Sequence, residues 1–183
     1  MTWIIVLIVV ALLLVYVIVT YNGLIRARNT VDNAWSQIDV QLKRRLDLIP
    51  NLVETVKGYA AHERQTLEAV INARNAAMSA PSDPHSQAAA DNLVTGTLKS
   101  LFALSEAYPD LKANQNFLNL QEELTATESR VAYARQFYND SVLSYHNKLD
   151  TFPTVIVAKI GTFTRREFFE AEEAAQTPPS VSF

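Results

Sequence analysis

A chain of 183 residues has room for one domain of ordinary size and an appendage. Four glycines, with no alternating β-branched runs between turn dipeptides, argue against sandwiches and barrels and for helices. The 16 basic and 19 acidic residues are mixed along the chain, so nucleic acid has no electrostatic footing, and the absence of cysteine excludes disulfides, thiol nucleophiles, Cys-based zinc sites and iron–sulfur clusters.

The strongest signal comes first. Trp3 to Tyr21 is nineteen residues without a charge. As a helix it rises roughly 28 Å, close to the hydrocarbon thickness of a bilayer. Residues 1–21 are therefore predicted to form a transmembrane anchor. Leu7 and Leu13 lie inside it, and Trp3, Tyr16 and Tyr21 lie towards its ends, where amphipathic rings favour the interface. The long apolar run and the lack of an A-x-A pattern distinguish it from a cleaved signal peptide. Arg26 and Arg28 follow the span and no basic residue precedes it, which predicts an external N-terminus and a cytoplasmic remainder.

Beyond Tyr21, apolar residues recur at Leu24, Val31, Trp35, Ile38, Leu42 and Ile49, the stripe of an amphipathic helix continuing from the anchor. Pro50 should end or kink that helix. A second stripe runs from Leu52 to Ala77, followed by the Pro81-Ser82-Asp83-Pro84 loop. A third carries Val94, Leu98, Leu101 and Leu104. The fourth, from Phe117 to Leu149, repeats at close to 3.5 residues, a period suited to left-handed bundle packing. The fold class expected is all-α: a transmembrane helix continuing into an antiparallel up-and-down four-helix bundle over residues 22–151. If Pro50 is only a kink, three long helices and a reversed parity follow instead.

Four helices would return the chain to the bilayer, where residues 152–170 supply Phe152, Lys159, Phe163, Arg165, Arg166, Phe168 and Phe169. This aromatic and basic segment fits the membrane interface, a cap on the bundle, or a partner site. Residues 171–183, with Pro178-Pro179, are expected to be a mobile tail.

No chemistry stands out. His62-Glu63 begins a zinc-protease motif, but Thr66 stands where that motif needs histidine. Glu-x-x-His is absent, which opposes a di-iron bundle, and the isolated glycines form no phosphate loop. No catalytic, metal or cofactor-binding residue is assigned, and no small-molecule substrate is expected. Lys43, Arg44 and Arg45 form the densest basic cluster before the C-terminal region, either a solvated helix face or a site for an acidic partner. Arg45 also lies near the apolar stripe, where it could pair with Glu54 across a turn at Pro50.

The run from Asn33-Ala34-Trp35 through Ile49-Pro50-Asn51-Leu52 to Gly58-Tyr59 strongly resembles the LemA family of bacterial membrane proteins. So do Tyr108-Pro109-Asp110-Leu111-Lys112-Ala113-Asn114, Asn116-Phe117, Tyr138-Asn139 and Phe152-Pro153. The resemblance covers nearly the whole chain. It implies a single N-terminal anchor, a four-helix bundle and an envelope location in the cytoplasmic membrane, and it supplies no enzymatic reaction. Family members are often encoded near membrane proteases or other envelope proteins. Together these readings predict a non-enzymatic, membrane-anchored scaffold that forms a homo-oligomer, with an adaptor or regulator of a neighbouring envelope protein as the alternative. The partners are then the lipid bilayer, further copies of the chain, or that neighbour.

Overall fold

The computed structural model describes residues 1–169, and its regular structure is entirely helical. Helix α1 (Thr2–Lys57) is 56 residues long, about 84 Å at 1.5 Å per residue. Its first nineteen residues bury no face, and it is the one helix among the described residues long and apolar enough to cross a membrane. Burial begins at Leu24 and recurs at Ala27, Val31, Ala34, Ile38, Leu42, Arg45, Ile49, Leu52 and Val56. Steps of three and four keep this stripe on one face as far as the end of the helix.

Pro50 neither ends α1 nor starts a new helix. Its ring lies on the exposed side, while Ile49, Leu52, Val53 and Val56 are buried around it and hold the helical path. A proline here removes the amide that would bond to the carbonyl four residues earlier, Leu46. Arg74 Nε donates to that oxygen at 2.9 Å. The chain reverses at residues 58–63 instead. The reversal is displaced by about two turns of helix rather than lost.

Helices α2 (Arg64–Ser79) and α3 (Pro84–Ser105) follow. Asp83 caps α3: its carboxylate accepts from the Ser86 amide at 2.8 Å, and Pro84 occupies the first turn. That bond holds the Asp83 carboxyl below its usual range. After the short α4 (Pro109–Lys112), Asn114 caps α5 (Gln115–Asp150) by accepting from Phe117 N at 3.0 Å. Its amide also donates to Tyr59 Oη at 2.8 Å, joining this corner to the end of α1.

The core has two parts. Far from the apolar span, α1, α2, α3 and the start of α5 enclose Ile49, Leu52, Val56, Val70, Leu98 and Phe117. Nearer the span, α1 and the second half of α5 pack as a pair, with Ile38 and Leu24 against Tyr138, Val142 and Tyr145. The α2–α3 turn reaches only the level of Asp32 and Trp35. Below it the core is closed by α6 (Thr154–Ile160), which contributes Val157 and Ala158, and by residues 163–169.

Candidate functional site

The end of the bundle nearest the apolar run of α1 is built from α1, α6 and a return segment. Gly161 and Thr162 reverse the chain after α6, and Thr162 adopts φ 54°. Position 161 needs glycine because a Cβ there would lie 2.7 Å from the Phe163 ring and 3.2 Å from the Tyr21 ring. Residues 163–169 then run back up α5. Tyr145 Oη donates to Thr164 O at 3.1 Å, Arg166 N donates to His146 Nε2 at 3.1 Å, and Tyr138 Oη donates to Glu167 O at 2.7 Å. Asn139 clamps Phe169 from both sides, accepting from its amide at 2.9 Å and donating to its carbonyl at 3.0 Å. Burial pushes the Tyr138 and Tyr145 phenols up, so both remain donors to high pH.

This arrangement divides the aromatic and basic residues named from the sequence. Phe163 packs on Tyr21 with centroids 5.4 Å apart, and the Arg28 guanidinium lies 5.9 Å from its ring. Phe169 is buried between Trp35 and Arg135. Arg165 pairs with Asp150 at 2.6 Å and Arg166 with Asp32 at 2.8 Å. Phe152, Lys159 and Phe168 stay exposed. Along the apolar run, Trp3, Leu7, Leu13 and Tyr16 face outward, while Tyr21 is partly covered by Phe163.

The basic triplet divides too. Lys43 and Arg44 are exposed, whereas Arg45 is buried and donates to Asp91 Oδ1 at 2.8 Å and to Thr95 Oγ1 at 2.9 Å. Glu54 pairs with Lys57 instead, because the uninterrupted helix puts Arg45 and Glu54 on one rod rather than across a turn. Asp91 holds a second cation, Arg135, at 2.5 Å, and Arg135 stacks on Phe169 at 4.7 Å. One buried carboxylate thus ties α1, α3, α5 and the return segment together. Arg45 Nε, Arg135 Nε and Gln41 Oε1 are buried without a hydrogen-bond partner among the described residues. The sequence reading passes over Asp91, although it falls on the α3 stripe between Ala88 and Val94, where a charge in core register is itself a signal.

A groove of about 500 Å³ runs between α1 and α5. Val40, Tyr133 and Phe137 line it and remain exposed, with Gln41 and Arg130 beside them. Among the described residues no group of three or more His, Asp or Glu is placed to hold a metal ion. His62 is exposed in the turn after α1, and His146 is tied to the return segment.

The motifs that resemble a known family fall at structural joints: Tyr59 and Asn114 at the α1–α5 corner, Tyr138 and Asn139 at the return segment. In sequence, the chain is 27% identical over 161 residues to "Protein LemA" of Metamycoplasma hominis, covering 88% of this chain and 74% of that one. It is 24% identical over 183 residues to "Magnetosome protein MamQ 2" of Paramagnetospirillum magneticum, covering 86% of this chain and 67% of the relative. MamQ of Magnetospirillum gryphiswaldense is similar at 23% identity, with the same coverage. With the LemA family matching residues 34–183 in addition, the chain belongs to the LemA family.

Proposed function

We propose that this protein is a non-enzymatic scaffold of the bacterial envelope, anchored in the cytoplasmic membrane by residues 3–21. In this reading α1, α2, α3 and α5 form an antiparallel up-and-down four-helix bundle that stands on the bilayer in the cytoplasm. The observation that carries it is the continuity of α1, which leads from the apolar span into the core with no hinge. Height above the membrane is then fixed. Val40 lies nineteen residues past Tyr21, about 28 Å from the end of the span. Copies in one bilayer hold their α1–α5 grooves at a common height, so association in the plane brings Val40, Tyr133 and Phe137 of neighbours face to face. The anchor itself has no small-xxx-small face to specify pairing, which leaves the groove as the assembly surface.

The second reading is an adaptor for a neighbouring membrane protein. It is favoured by the exposed Lys43 and Arg44 near a groove that Arg130 lines, a basic rim suited to an acidic partner. The chain has no cysteine, so Val40→Cys can be cross-linked in native membranes without background. A homodimer adduct supports the scaffold; an adduct only with a different protein supports the adaptor. Orientation is tested by a reporter fused after Phe183, which the proposal requires to be active on the cytoplasmic side.

A further inference from the structure

We propose that the exposed face of α6, extended by Phe152, is a second membrane contact that lies in the headgroup layer of the bilayer α1 crosses. It rests on the reading of residues 3–21 as a span. Ile160 is 80% exposed and Ile156 52%, and their spacing places them together with Lys159 on the side of α6 opposite Val157 and Ala158; Phe152, 76% exposed, stands two residues before the helix. Two large apolar side chains beside one lysine, with an exposed ring next to the helix start, make an amphipathic face of the kind that partitions into an interface.

Position identifies the occupant. The buried side of α6 shares a packed cluster with Leu24 and Ala27, and the turn after it touches Tyr21, the last residue of the apolar run. The Phe163 ring, held between Tyr21 and Arg28, fixes the level. Tyr21 to Arg28 is seven residues, about 10 Å of helix, and the headgroup layer on each side of a bilayer is about 5–8 Å deep. The outer face of α6 is thus continuous with the lipid-facing surface of α1.

Charge agrees with position. Residues 22–32 and 145–169 together hold six basic and three acidic residues, whereas the whole chain carries −3. Two of the three acids are already paired, Asp150 with Arg165 and Asp32 with Arg166. The end nearest the bilayer is therefore basic on an acidic protein, matched to anionic phospholipid. Two other rings of the aromatic segment, Phe163 and Phe169, pack inward and close the core rather than facing lipid.

Nitroxide labels on single cysteines in the full chain test this, in nanodiscs of phosphatidylcholine alone and of equal parts phosphatidylcholine and phosphatidylglycerol. Ile160→Cys is the probe, Leu13→Cys reports the span and Ala69→Cys, exposed on α2 away from the α1–α5 groove, reports the aqueous bundle. The label at 160 is expected to be several-fold less open to a water-soluble nickel relaxant than the label at 69. It should stay open to oxygen, and be more shielded from nickel when the anionic lipid is present. A label at 160 as open to nickel as the one at 69, with the label at 13 protected, overturns the α6 contact and leaves the anchor standing. Shielding from nickel and oxygen alike means protein covers the face, and also overturns it. A nickel-accessible label at 13 removes the span itself, and this contact with it.

Discussion

The carbonyl left free by Pro50 gives the sharpest test of how α1 stays whole. If Arg74 replaces the bond that the proline cannot make, its worth depends on the proline. Arg74 is half-buried, and its Nε reaches Leu46 O at 2.9 Å. A hydrogen bond from a charged donor contributes about 1.5–3 kcal/mol, and partial exposure puts this one near the lower end, about 1.5 kcal/mol. Arg74→Met keeps most of the stem's packing and removes the bond. Pro50→Ala restores the amide, which can bond to Leu46 O within the helix, and should itself stabilise by about 1–3 kcal/mol, because proline in a helix interior costs about 3. In the Pro50→Ala background Arg74→Met should therefore cost only about 0.5 kcal/mol, a coupling of about 1 kcal/mol, above the roughly 0.3–0.5 expected between independent sites. Urea denaturation of the four variants in one detergent, followed by circular dichroism, measures the cycle. Equal costs of Arg74→Met in both backgrounds would refute the assignment of Arg74 to the proline gap.

Asp91→Asn leaves the Arg45 and Arg135 guanidiniums uncompensated, with a loss of about 3–5 kcal/mol and a midpoint lower by on the order of 10 °C in a thermal melt; a change under about 0.5 kcal/mol would contradict a tie between the helices through this carboxylate. Because folding favours the protonated Tyr138 and Tyr145, their contribution is complete below the ordinary phenol pKa of about 10 and is lost as pH rises through the raised folded value. Stability measured from neutral to strongly alkaline pH should fall more steeply for the parent than for the Tyr138→Phe/Tyr145→Phe double variant, and parallel curves would count against this. Gly161→Ala drives a Cβ into the Phe163 ring and should cost about 1–3 kcal/mol, read as earlier proteolysis of the return segment; unchanged proteolysis would show that the turn has slack.

The helices are legible wherever apolar periodicity and caps agree. The α5 stripe from Phe117 to Leu149 follows directly from spacing, whereas α3 begins at Pro84, inside the segment read from sequence as a loop. Pro50 misleads because its cost is local, whereas the residues that overrule it, buried on both sides, and the arginine that fills its gap belong to other turns and another helix. The charge cluster is half legible. Arg45 stands near the stripe, but its partner lies 46 positions away and could not be told from Glu54 by sequence distance. In sequence, residues 152–169 look like a single amphipathic patch. Only tertiary contacts divide them into a buried ring at Phe169, a partly buried one at Phe163, and exposed apolar residues at Phe152, Ile156 and Ile160. The α1–α5 groove has no local signature, because Val40 and the Tyr133–Phe137 pair lie on different helices and border the core stripe without joining it.

A rigid scaffold that stands on the membrane and assembles through that groove must be multimeric in lipid. Mass photometry of the full chain, extracted directly from its membrane into polymer nanodiscs, reads this out for the parent and for the Tyr133→Asp/Phe137→Asp variant. A discrete multimer is expected for the parent, and monomers for a variant that keeps the parent's helical circular dichroism. A parent that is monomeric at every protein-to-lipid ratio, or a variant that assembles as well as the parent, would contradict assembly through the groove.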